Sequence, residues 1–398
     1  MEVFDTVVIG LGAQGAATLM QLARRGQRVI GLDRFDPPHS MGSTHGETRI
    51  TRCAIGEGED YVPLVLRSHA IWRELEAETG FELLTQCGAL ILSGRADMAP
   101  MHGKPDFVRR TIRAAERFGL AHEVLDAEGV TKRFPQFRLR GDEIAYFEQD
   151  GGFVRPERCV EAQLVVAKRL GAVVRTGAQV VSVLRDGAGV CVHLLDGSRV
   201  LAGQAVMAAG AWSPGLLMAS GAGGLAPRMQ VLRQVLHWFA PAVPGDYAPE
   251  RFPVFIWAHG NGEDDSFYGF PVPHDGEGVK VAREQYATVA DDPDSVARDV
   301  AGAEQAAMFS DQVAGRLAGV SSRAVKSKVC LYTMTSDGDF LIGRAAENDR
   351  VLLVSACSGH GFKHSAGLGE AVASAIVDGE WGVLAAFAPQ RPEIVAIS

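Results

Sequence analysis

The chain has 398 residues, a net charge of −9 and a hydrophobic content of 47%. A chain of this length can bury two or three domains' worth of core. The acidic balance gives no electrostatic basis for nucleic-acid binding, and no apolar run is long enough to span a bilayer.

Six cysteines are scattered along the chain without a C-x-x-C pair. This spacing favours neither a zinc site nor a disulfide framework, so we expect reduced thiols, no metal and a cytoplasmic location. The first predicted strand begins almost at Met1, so we expect no signal peptide.

Residues 5–33 predict a strand, a glycine turn, a helix and a second strand. The first strand is a short β-branched run, which is typical of a buried parallel strand. Gly10, Gly12 and Gly15 then form G-x-G-x-x-G, and Asp33 ends the second strand. Strand, turn, helix and terminal acid at these distances predict a dinucleotide-binding unit.

Each residue of this unit has a physical role. Gly10 permits the tight turn, Gly12 lets the backbone approach a pyrophosphate, and Gly15 lets helix and strand pack closely. The helix N-terminus supplies free N–H groups for the phosphates. Asp33 can bind a ribose diol and would repel a phosphorylated ribose, which disfavours NADP. The motif alone does not separate FAD from NAD.

Residues 35–52 (FDPPHSMGSTHGETRITR) form a polar, glycine-rich loop directly after this unit. Such loops lie at the carboxyl ends of parallel strands, where ligands bind. His45, Arg49 and Arg52 fall within it, and either arginine could hold an anion. We therefore expect a ligand-binding loop here, although a solvated surface loop is the alternative.

Helices are predicted over 63–76, 106–118, 126–134 and 156–170, and strands over 172–183 and 190–195 with a hairpin at 196–197. The apolar run 205–211 ends in small residues, which is typical of a strand end against a cofactor and equally typical of a plain buried strand.

A glycine-rich break at 220–224 is a predicted domain crossing. Short strands over 230–239, 252–257, 266–270 and 278–282 predict an antiparallel sheet in an α+β second domain, followed by a polar helical stretch over 291–316. The C-terminal part of the chain has the same order of strand, glycine turn and helix as the opening unit, over 324–335, 358–363 and 366–377. We therefore expect the chain to return to the first domain.

The chain resembles monomeric sarcosine oxidase and N-methyltryptophan oxidase, FAD enzymes that oxidise secondary amines. The resemblance runs in order along nearly the whole chain and is carried by VVIGLGAQG (7–15), the loop 35–52, YVPLVLRS (61–68), AAGAWS (208–213), YGFP (268–271), VCLYTMT (329–335) and SGHGFKHSAGLGE (358–370).

This resemblance implies an α/β, Rossmann-like FAD-binding domain interleaved with an α+β catalytic domain on a mostly antiparallel or mixed sheet. We expect the FAD domain to comprise 1–84, 150–217 and 324–398, and the catalytic domain to comprise 85–149 and 218–323.

The resemblance also implies the FAD contacts. They are Gly10, Leu11, Gly12, Ala13, Gln14 and Gly15 at the pyrophosphate, Asp33 at the ribose, Arg34 and Val180 near the adenine, Ser43, Thr44, Arg49 and Ile50 along the flavin, and Gly359, Gly361, Phe362 and Lys363 towards the pyrimidine end. Cys330 matches a cysteine bonded covalently to the flavin 8α carbon, and Lys328 on the same strand face could favour its thiolate. An isolated cysteine would otherwise be a small buried hydrophobe.

Arg52 and Lys363 match a pair that grips the substrate carboxylate, the arginine with a planar fork and the lysine with a point charge. Tyr268 and Tyr332 match pocket residues, and His45 matches an active-site histidine.

Lys280 matches a lysine that activates oxygen, since a fixed cation stabilises superoxide as it forms. Arg49 would help in the same way. The implied reaction moves a hydride equivalent from the carbon next to nitrogen to flavin N5. Imine hydrolysis and reduction of O₂ to H₂O₂ follow. The expected partners are an amino-acid-like amine and oxygen, without nucleic acid or membrane, and the chain is expected to be a monomer.

Two departures from the family pattern concern the substrate. Glu284, preceded by Arg283, replaces a histidine common four residues after the lysine matched by Lys280, and Ile256-Trp257 differs from the usual pocket wall. Glu284 could select a cationic or polar substrate tail, or pair with Arg283 and have no catalytic role.

Four alternatives stay open. The first is an FAD oxidase of pipecolate, a fructosyl amino acid or a larger N-substituted amino acid, which Glu284 and Trp257 favour. The second is a flavin amine dehydrogenase with a non-oxygen acceptor, which Lys280 argues against. The third is a nicotinamide-dependent dehydrogenase, which would need neither Cys330 nor the turn at 358–363. The fourth is a non-enzymatic dinucleotide-binding regulator, in which Arg52, Lys280 and Lys363 would have no shared function.

Overall fold

The computed structural model describes residues 3–96, 100–262 and 264–397. Its strands are β1 Val3–Ile9, β2 Val29–Leu32, β3 Arg49–Thr51, β4 Leu84–Gln86, β5 Ala89–Gly94, β6 Glu123–Asp126, β7 Glu143–Glu148, β8 Gly152–Val154, β9 Val173–Arg175, β10 Val180–Asp186, β11 Gly189–Leu194, β12 Arg199–Met207, β13 Met229–Pro241, β14 Val254–Ala258, β15 Ser266–Gly269, β16 Val279–Ala282, β17 Val320–Thr335, β18 Leu341–Ala345 and β19 Asn348–Ser355.

The helices are α1 Ala13–Arg24, α2 Val62–Thr79, α3 Phe107–Phe118, α4 Ala127–Arg133, α5 Pro156–Arg169, α6 Ser213–Ala219, α7 Gly302–Met308 and α8 Ser365–Val377. Asp126 caps α4, because its Oδ1 accepts a hydrogen bond from Gly129 N at 2.9 Å. Helix α1 begins at Ala13, inside the glycine motif, which brings its first amides to the end of β1.

The first large sheet has the order β10-β11-β12-β1-β2-β9, with β19 also paired to β12 and β18 to β19. Strand β1 runs parallel to both β2 and β12, and β11 and β12 form the predicted antiparallel hairpin. Helix α1 packs on α5 and α8, and α2 packs on α8. The interior of β1 is apolar because helices bury one face of this sheet and α6 packs against the strands on the other.

The second large sheet has the order β17-β13-β16-β15-β14-β5-β7-β6. Its pairs are antiparallel except β14 with β5, so the predicted mixed sheet is confirmed. A small sheet, β3-β8-β4, carries Arg49 in its first strand.

The domain boundaries stay a prediction, and residues 1, 2 and 398 of the expected FAD domain lie outside the described residues. The chain enters the second sheet directly after the glycine-rich break at 220–224, where β13 begins. Strand β17, which the expected boundary at 324 would cut, pairs with β13 over almost its whole length.

The helical prediction over 291–316 is wrong for its first third. Residues 291–300 form no regular element, and helix is found only in α7 and in a π-helical turn at Phe309–Val313. Pro293 lacks an N–H, and the aspartates around it favour turns through side-chain bonds to the backbone. Asp292, for example, accepts a hydrogen bond from Asp294 N at 3.0 Å.

All six cysteines are free thiols. Within the described ranges, no helix is both long and apolar enough to cross a bilayer.

Candidate active site

A cavity of about 780 Å³ lies between the two large sheets. At one end it is lined by the turn after β1 and by the end of β2, and at the other by Ile256, Tyr268 and Tyr332 of the second sheet. Its position at the carboxyl ends of β1 and β2 is where doubly wound sheets bind ligands.

The glycine motif leaves room for a pyrophosphate. A Cβ on Gly10 would lie 2.5 Å from Ala208 O, and one on Gly15 would lie 1.7 Å from Gly10 O, so both positions require glycine. A Cβ on Gly12 would meet only the Thr44 side chain, at 3.2 Å, and would otherwise project into open space. The backbone is therefore bare where α1 begins, as a dinucleotide phosphate requires.

Asp33 supports this turn as well as lining the cavity. Its Oδ2 accepts a hydrogen bond from Leu11 N at 2.7 Å, and its Oδ1 accepts one from Phe35 N at 2.8 Å. Each carboxylate oxygen retains acceptor capacity for a ribose hydroxyl. Arg34 forms an ion pair with Asp294 at 2.6 Å, and residues 291–294 of the irregular segment line this end of the cavity.

Most of the site residues predicted from the sequence line this one cavity. They are Gly10, Leu11, Gly12, Ala13, Gln14, Asp33, Arg34, Ser43, Thr44, Arg49, Ile50, Arg52, Val180, Tyr268, Glu284, Tyr332, Gly359, Gly361, Phe362 and Lys363. Gly15 lies beneath the turn, and His45, Lys280 and Cys330 are buried outside the lining. The small residues that follow β12 also line the cavity. Of the two interpretations of the run 205–211, a strand end that faces a ligand and a plain buried strand, the structure favours the first.

Glu57 is the main residue that sequence reasoning missed. Its buried carboxylate accepts two hydrogen bonds from Arg52 Nη2, at 2.8 and 2.7 Å, and one from Lys363 Nζ at 3.2 Å. Burial acts to raise the pKa of Glu57, but Arg52 and Lys363 outweigh it and hold that pKa well below its usual value. Two cations removed from water need a counter-charge. The prediction that Arg52 and Lys363 lie together could therefore have prompted a search of the sequence for a buried carboxylate.

The charge of Lys363 in this cluster depends on pH near neutrality. Burial lowers its pKa to about 8, although Glu57 acts in the opposite direction. Its Nζ also donates to His360 O at 2.8 Å. Lys363 therefore carries its positive charge through neutral pH and loses it in mildly alkaline solution.

Glu284 pairs with His102, not with its neighbour Arg283. Glu284 Oε1 contacts His102 Nε2, and Glu284 Oε2 accepts a hydrogen bond from Tyr286 Oη at 2.7 Å. Arg283 instead forms an ion pair with Asp264 at 2.9 Å. The alternative pairing considered from the sequence is therefore wrong, and a buried carboxylate–imidazole pair lines the cavity.

Trp257 is not part of the pocket wall. It packs in the core of the second sheet with its ring centroid 5.8 Å from that of Phe267, whereas Ile256 lines the cavity. Neighbouring side chains of a strand point to opposite faces, so only one of the two can face the ligand. Trp257 therefore no longer supports a larger substrate.

Lys280 and Arg49 converge on one backbone carbonyl. Lys280 Nζ donates to Thr48 O at 2.6 Å and Arg49 Nη1 donates to the same oxygen at 3.0 Å. Burial, and then Arg49, lowers the pKa of Lys280 well below its usual value. The two cations lie at the boundary between β3 and the second sheet.

The thiol of Cys330 lies beside these cations. Its Sγ is 3.6 Å from Arg49 Nη2 and 3.7 Å from Ser43 O. Burial raises the pKa of Cys330, and Arg49 and Lys280 partly oppose this effect. The expected helper, Lys328, is exposed at the surface of β17, so Arg49 is the cation beside the thiol. A second thiol, Cys357, lines the cavity and lies 3.9 Å from Ser43 Oγ.

His45 is buried near Arg49 and Lys280. Burial, with help from these two cations and Lys328, lowers the pKa of His45 to about 3. The imidazole is therefore neutral in the physiological range. Both ring nitrogens are buried, and a backbone hydrogen bond with Gly42 acts against the fall in the pKa.

Comparison with known proteins points to one chemistry. The family model described as FAD dependent oxidoreductase matches residues 5–375. Monomeric sarcosine oxidase of Streptomyces avermitilis is 37% identical over 94% of both chains. N-methyl-L-tryptophan oxidase of Shigella sonnei is 33% identical over 93% of this chain and 94% of its own.

A solved structure agrees over the whole chain. A variant of NikD, an unusual amino acid oxidase essential for nikkomycin biosynthesis, superposes in its open form with a TM-score of 0.84. The two sequences are 25% identical, and the match covers 100% of this chain and 99% of NikD.

The charge on Lys363 should control the binding of small carboxylates. Since its pKa is about 8, the cation is present below that pH and is lost as the pH rises through it. We expect the dissociation constant of propionate, measured by calorimetry, to rise about tenfold between pH 7 and 9. Lys363→Met should bind more weakly at pH 7 and show a flatter profile. Equal affinity at both pH values in the unaltered protein would contradict a role for Lys363.

Proposed function

Because this chain belongs to the family of FAD-dependent oxidoreductases, we propose that it is an oxidase of N-substituted amino acids that are secondary amines, with N-methyl amino acids as the leading class. Bound FAD would supply the electron acceptor, taking two electrons from the carbon next to nitrogen and passing them to oxygen with release of peroxide. The monomeric state expected from the sequence stays a prediction.

The observation that carries this proposal is a cation pair in a dinucleotide-sized cavity. Arg52 and Lys363 line the cavity together, and Glu57 balances only one of their two positive charges. Within this three-residue contact one positive charge is left over, and it is available to attract the carboxylate of an amino acid. An arginine fork beside a point charge suits that group, and it would orient the amine towards the flavin end.

Neighbouring residues complete the substrate space. The hydroxyl groups of Tyr268 and Tyr332 lie 3.2 Å apart, within hydrogen-bonding distance of each other. Burial raises the pKa of Tyr268 to about 12, so the phenol stays protonated and can donate a hydrogen bond. His45 contributes a neutral ring, which fits a site that must bind an uncharged amine.

Lys280 and Arg49 are the proposed oxygen-activating groups. Reducing oxygen creates negative charge, and fixed cations in a dry site stabilise that charge as it forms. Lys280 is held by backbone carbonyls and by no carboxylate within the described residues, so its charge is not cancelled by direct contact.

The Glu284–His102 pair bears on substrate choice. Both residues line the cavity, and His102 Nδ1 also lies 3.4 Å from Glu57 Oε1. A carboxylate–imidazole pair at this point favours a substrate with a hydrogen-bonding group on its nitrogen substituent or side chain. Sarcosine has no such group, so a larger or more polar secondary amine is the stronger candidate.

A substrate panel tests the function. Purified enzyme would be mixed with sarcosine, N-methyl-L-tryptophan, L-pipecolate and fructosyl-glycine, while loss of the oxidised flavin spectrum is followed without oxygen and peroxide is followed with it. Reduction and peroxide together support the oxidase. Reduction followed by reoxidation only through an added quinone or dye would identify a dehydrogenase. No reduction by any secondary amine would contradict amine oxidation.

Covalent attachment of FAD through Cys330 can be tested by acid precipitation of two cysteine variants. Cys330→Ala should release all flavin into the supernatant after acid precipitation, because the attached sulfur is gone. Cys357→Ala removes the nearby thiol that lines the cavity and should keep flavin in the pellet. The reverse result would move the attachment to Cys357. Flavin in the supernatant of the unaltered protein would exclude a covalent link.

Lys280→Met separates the two half-reactions. We expect reoxidation of the reduced flavin by oxygen to slow by about a hundredfold or more, because the fixed charge is lost, while reduction by substrate changes little. Stopped-flow absorbance measures both rates. Lys328→Met, which removes an exposed lysine from β17, should change neither. An equal loss in both half-reactions would count against the assigned role of Lys280.

A further inference from the structure

The ammonium group of Lys280 is positioned by the loop of residues 46–48. Its Nζ donates to Gly46 O at 2.8 Å, to Thr48 O at 2.6 Å and to Thr48 Oγ1 at 3.3 Å. The place of the cation therefore depends on how this loop is held.

The loop has a backbone conformation that needs external support. Gly46 has φ of 97° and Glu47 has φ of 71°, and such positive values are uncommon for a residue with a side chain. In this conformation the N–H groups of both residues reach one carboxylate, which is Glu157 in the first turn of α5. Glu157 Oε1 accepts from Gly46 N at 2.6 Å and from Glu47 N at 3.1 Å, and Oε2 is 3.2 Å from Glu47 N.

In the described part of the chain, the Glu157 carboxylate bonds only the amides of residues 46 and 47. Its hydrogen bonds all go to amides of this loop, it forms no ion pair there, and it does not line the cavity. The Glu157 carboxylate bonds two consecutive amides of a strained turn and nothing else among the described residues. This indicates that its role is to fix the backbone conformation of residues 46–48.

We propose that Glu157 is a positioning residue for the reaction with oxygen: it holds the 46–48 loop whose carbonyls hold Lys280, and its negative charge helps to keep that lysine protonated. This inference rests on the role proposed above for Lys280. Glu157 acts through the loop, since it does not line the cavity itself.

The surrounding charges support the second half of the proposal. Burial and then Arg49 lower the pKa of Lys280, and Glu157 is the strongest of the neighbours that oppose them, ahead of Cys330 and Glu47. Other ionisable groups face this region from the loop and from β17. They are His45, Lys326, which is paired with Glu47, and Lys328. With so many cations close by, loss of the Glu157 charge would favour the neutral amine.

The first test reads the Lys280 charge without using activity. The chain contains seven lysines, so ¹³Cε-labelled lysine gives a simple NMR spectrum of the holoenzyme, and Lys280→Met assigns the Lys280 signal. Glu157→Gln keeps an acceptor oxygen and removes the charge. We expect it to lower the pKa of Lys280 further. The control Glu161→Gln removes an exposed charge one turn along α5 and should leave that pKa unchanged.

The second test uses flavin reduced by dithionite, which bypasses the amine substrate. Glu157→Gln should slow reoxidation by oxygen several-fold at pH 7, less than Lys280→Met does, and the loss should grow as the pH rises because the neutral amine gains population. Reduction by substrate should not change. In a Lys280→Met background, Glu157→Gln should have no additional effect.

Three results would overturn the proposal: an unchanged Lys280 pKa in Glu157→Gln, an equal slowing of both half-reactions, or a full additional loss in the Lys280→Met background. Failure of the proposed function is distinguishable from these. An amine panel without activity leaves the dithionite experiment and the NMR titration interpretable. If Lys280→Met alone left reoxidation unchanged, the role of Lys280 would fail, while the titration would still decide whether Glu157 sustains its charge.

Discussion

The buried contact of Glu57 with Arg52 and Lys363 is the constraint on which the site depends. Removing a guanidinium and an ammonium from water is costly, and a single cation left uncompensated in the interior would destabilise the fold by several kcal/mol. One carboxylate bonded to both keeps them in place and leaves one positive charge over. The same contact thus permits the cations to be buried and leaves the positive charge on which the proposed binding of a substrate carboxylate depends.

The second constraint is the meeting of two sheets along one cavity. The dinucleotide turn belongs to the first sheet, whereas Tyr268, Lys280 and Cys330 belong to the second. The loop 42–52 lies between them and contacts both. Thr44 Oγ1 accepts a hydrogen bond from Ala13 N at the dinucleotide turn, and Gly46 O accepts one from the Lys280 ammonium. A small displacement of this loop would move cofactor contacts and cations together, which explains why it is anchored from α5.

The charges of the site are arranged in two groups with different duties. At the substrate end, acids and bases alternate from Glu284 through His102 to Glu57 and its two cations, so polar groups are matched within the cavity. Around Lys280 the cations outnumber the acids, and backbone carbonyls replace carboxylates as direct partners. The proposed use of the uncancelled charge at Lys280 is to stabilise the negative charge that develops as oxygen is reduced.

The sequence by itself determined the dinucleotide unit and the mixed second sheet, because glycine spacing, strand alternation and matched local motifs are properties of short stretches. Most of the site residues that it predicted line the cavity. The tertiary structure alone decided the partners of the buried charges. Glu57, His102 and Glu157 carry no local motif. Trp257 was assigned to the wrong face of its strand, because the buried face depends on the fold. Lys328 shares a face with Cys330 but lies just before the buried part of β17. Counter-charges are chosen by proximity in space, and Lys363 lies 306 positions from Glu57 along the chain.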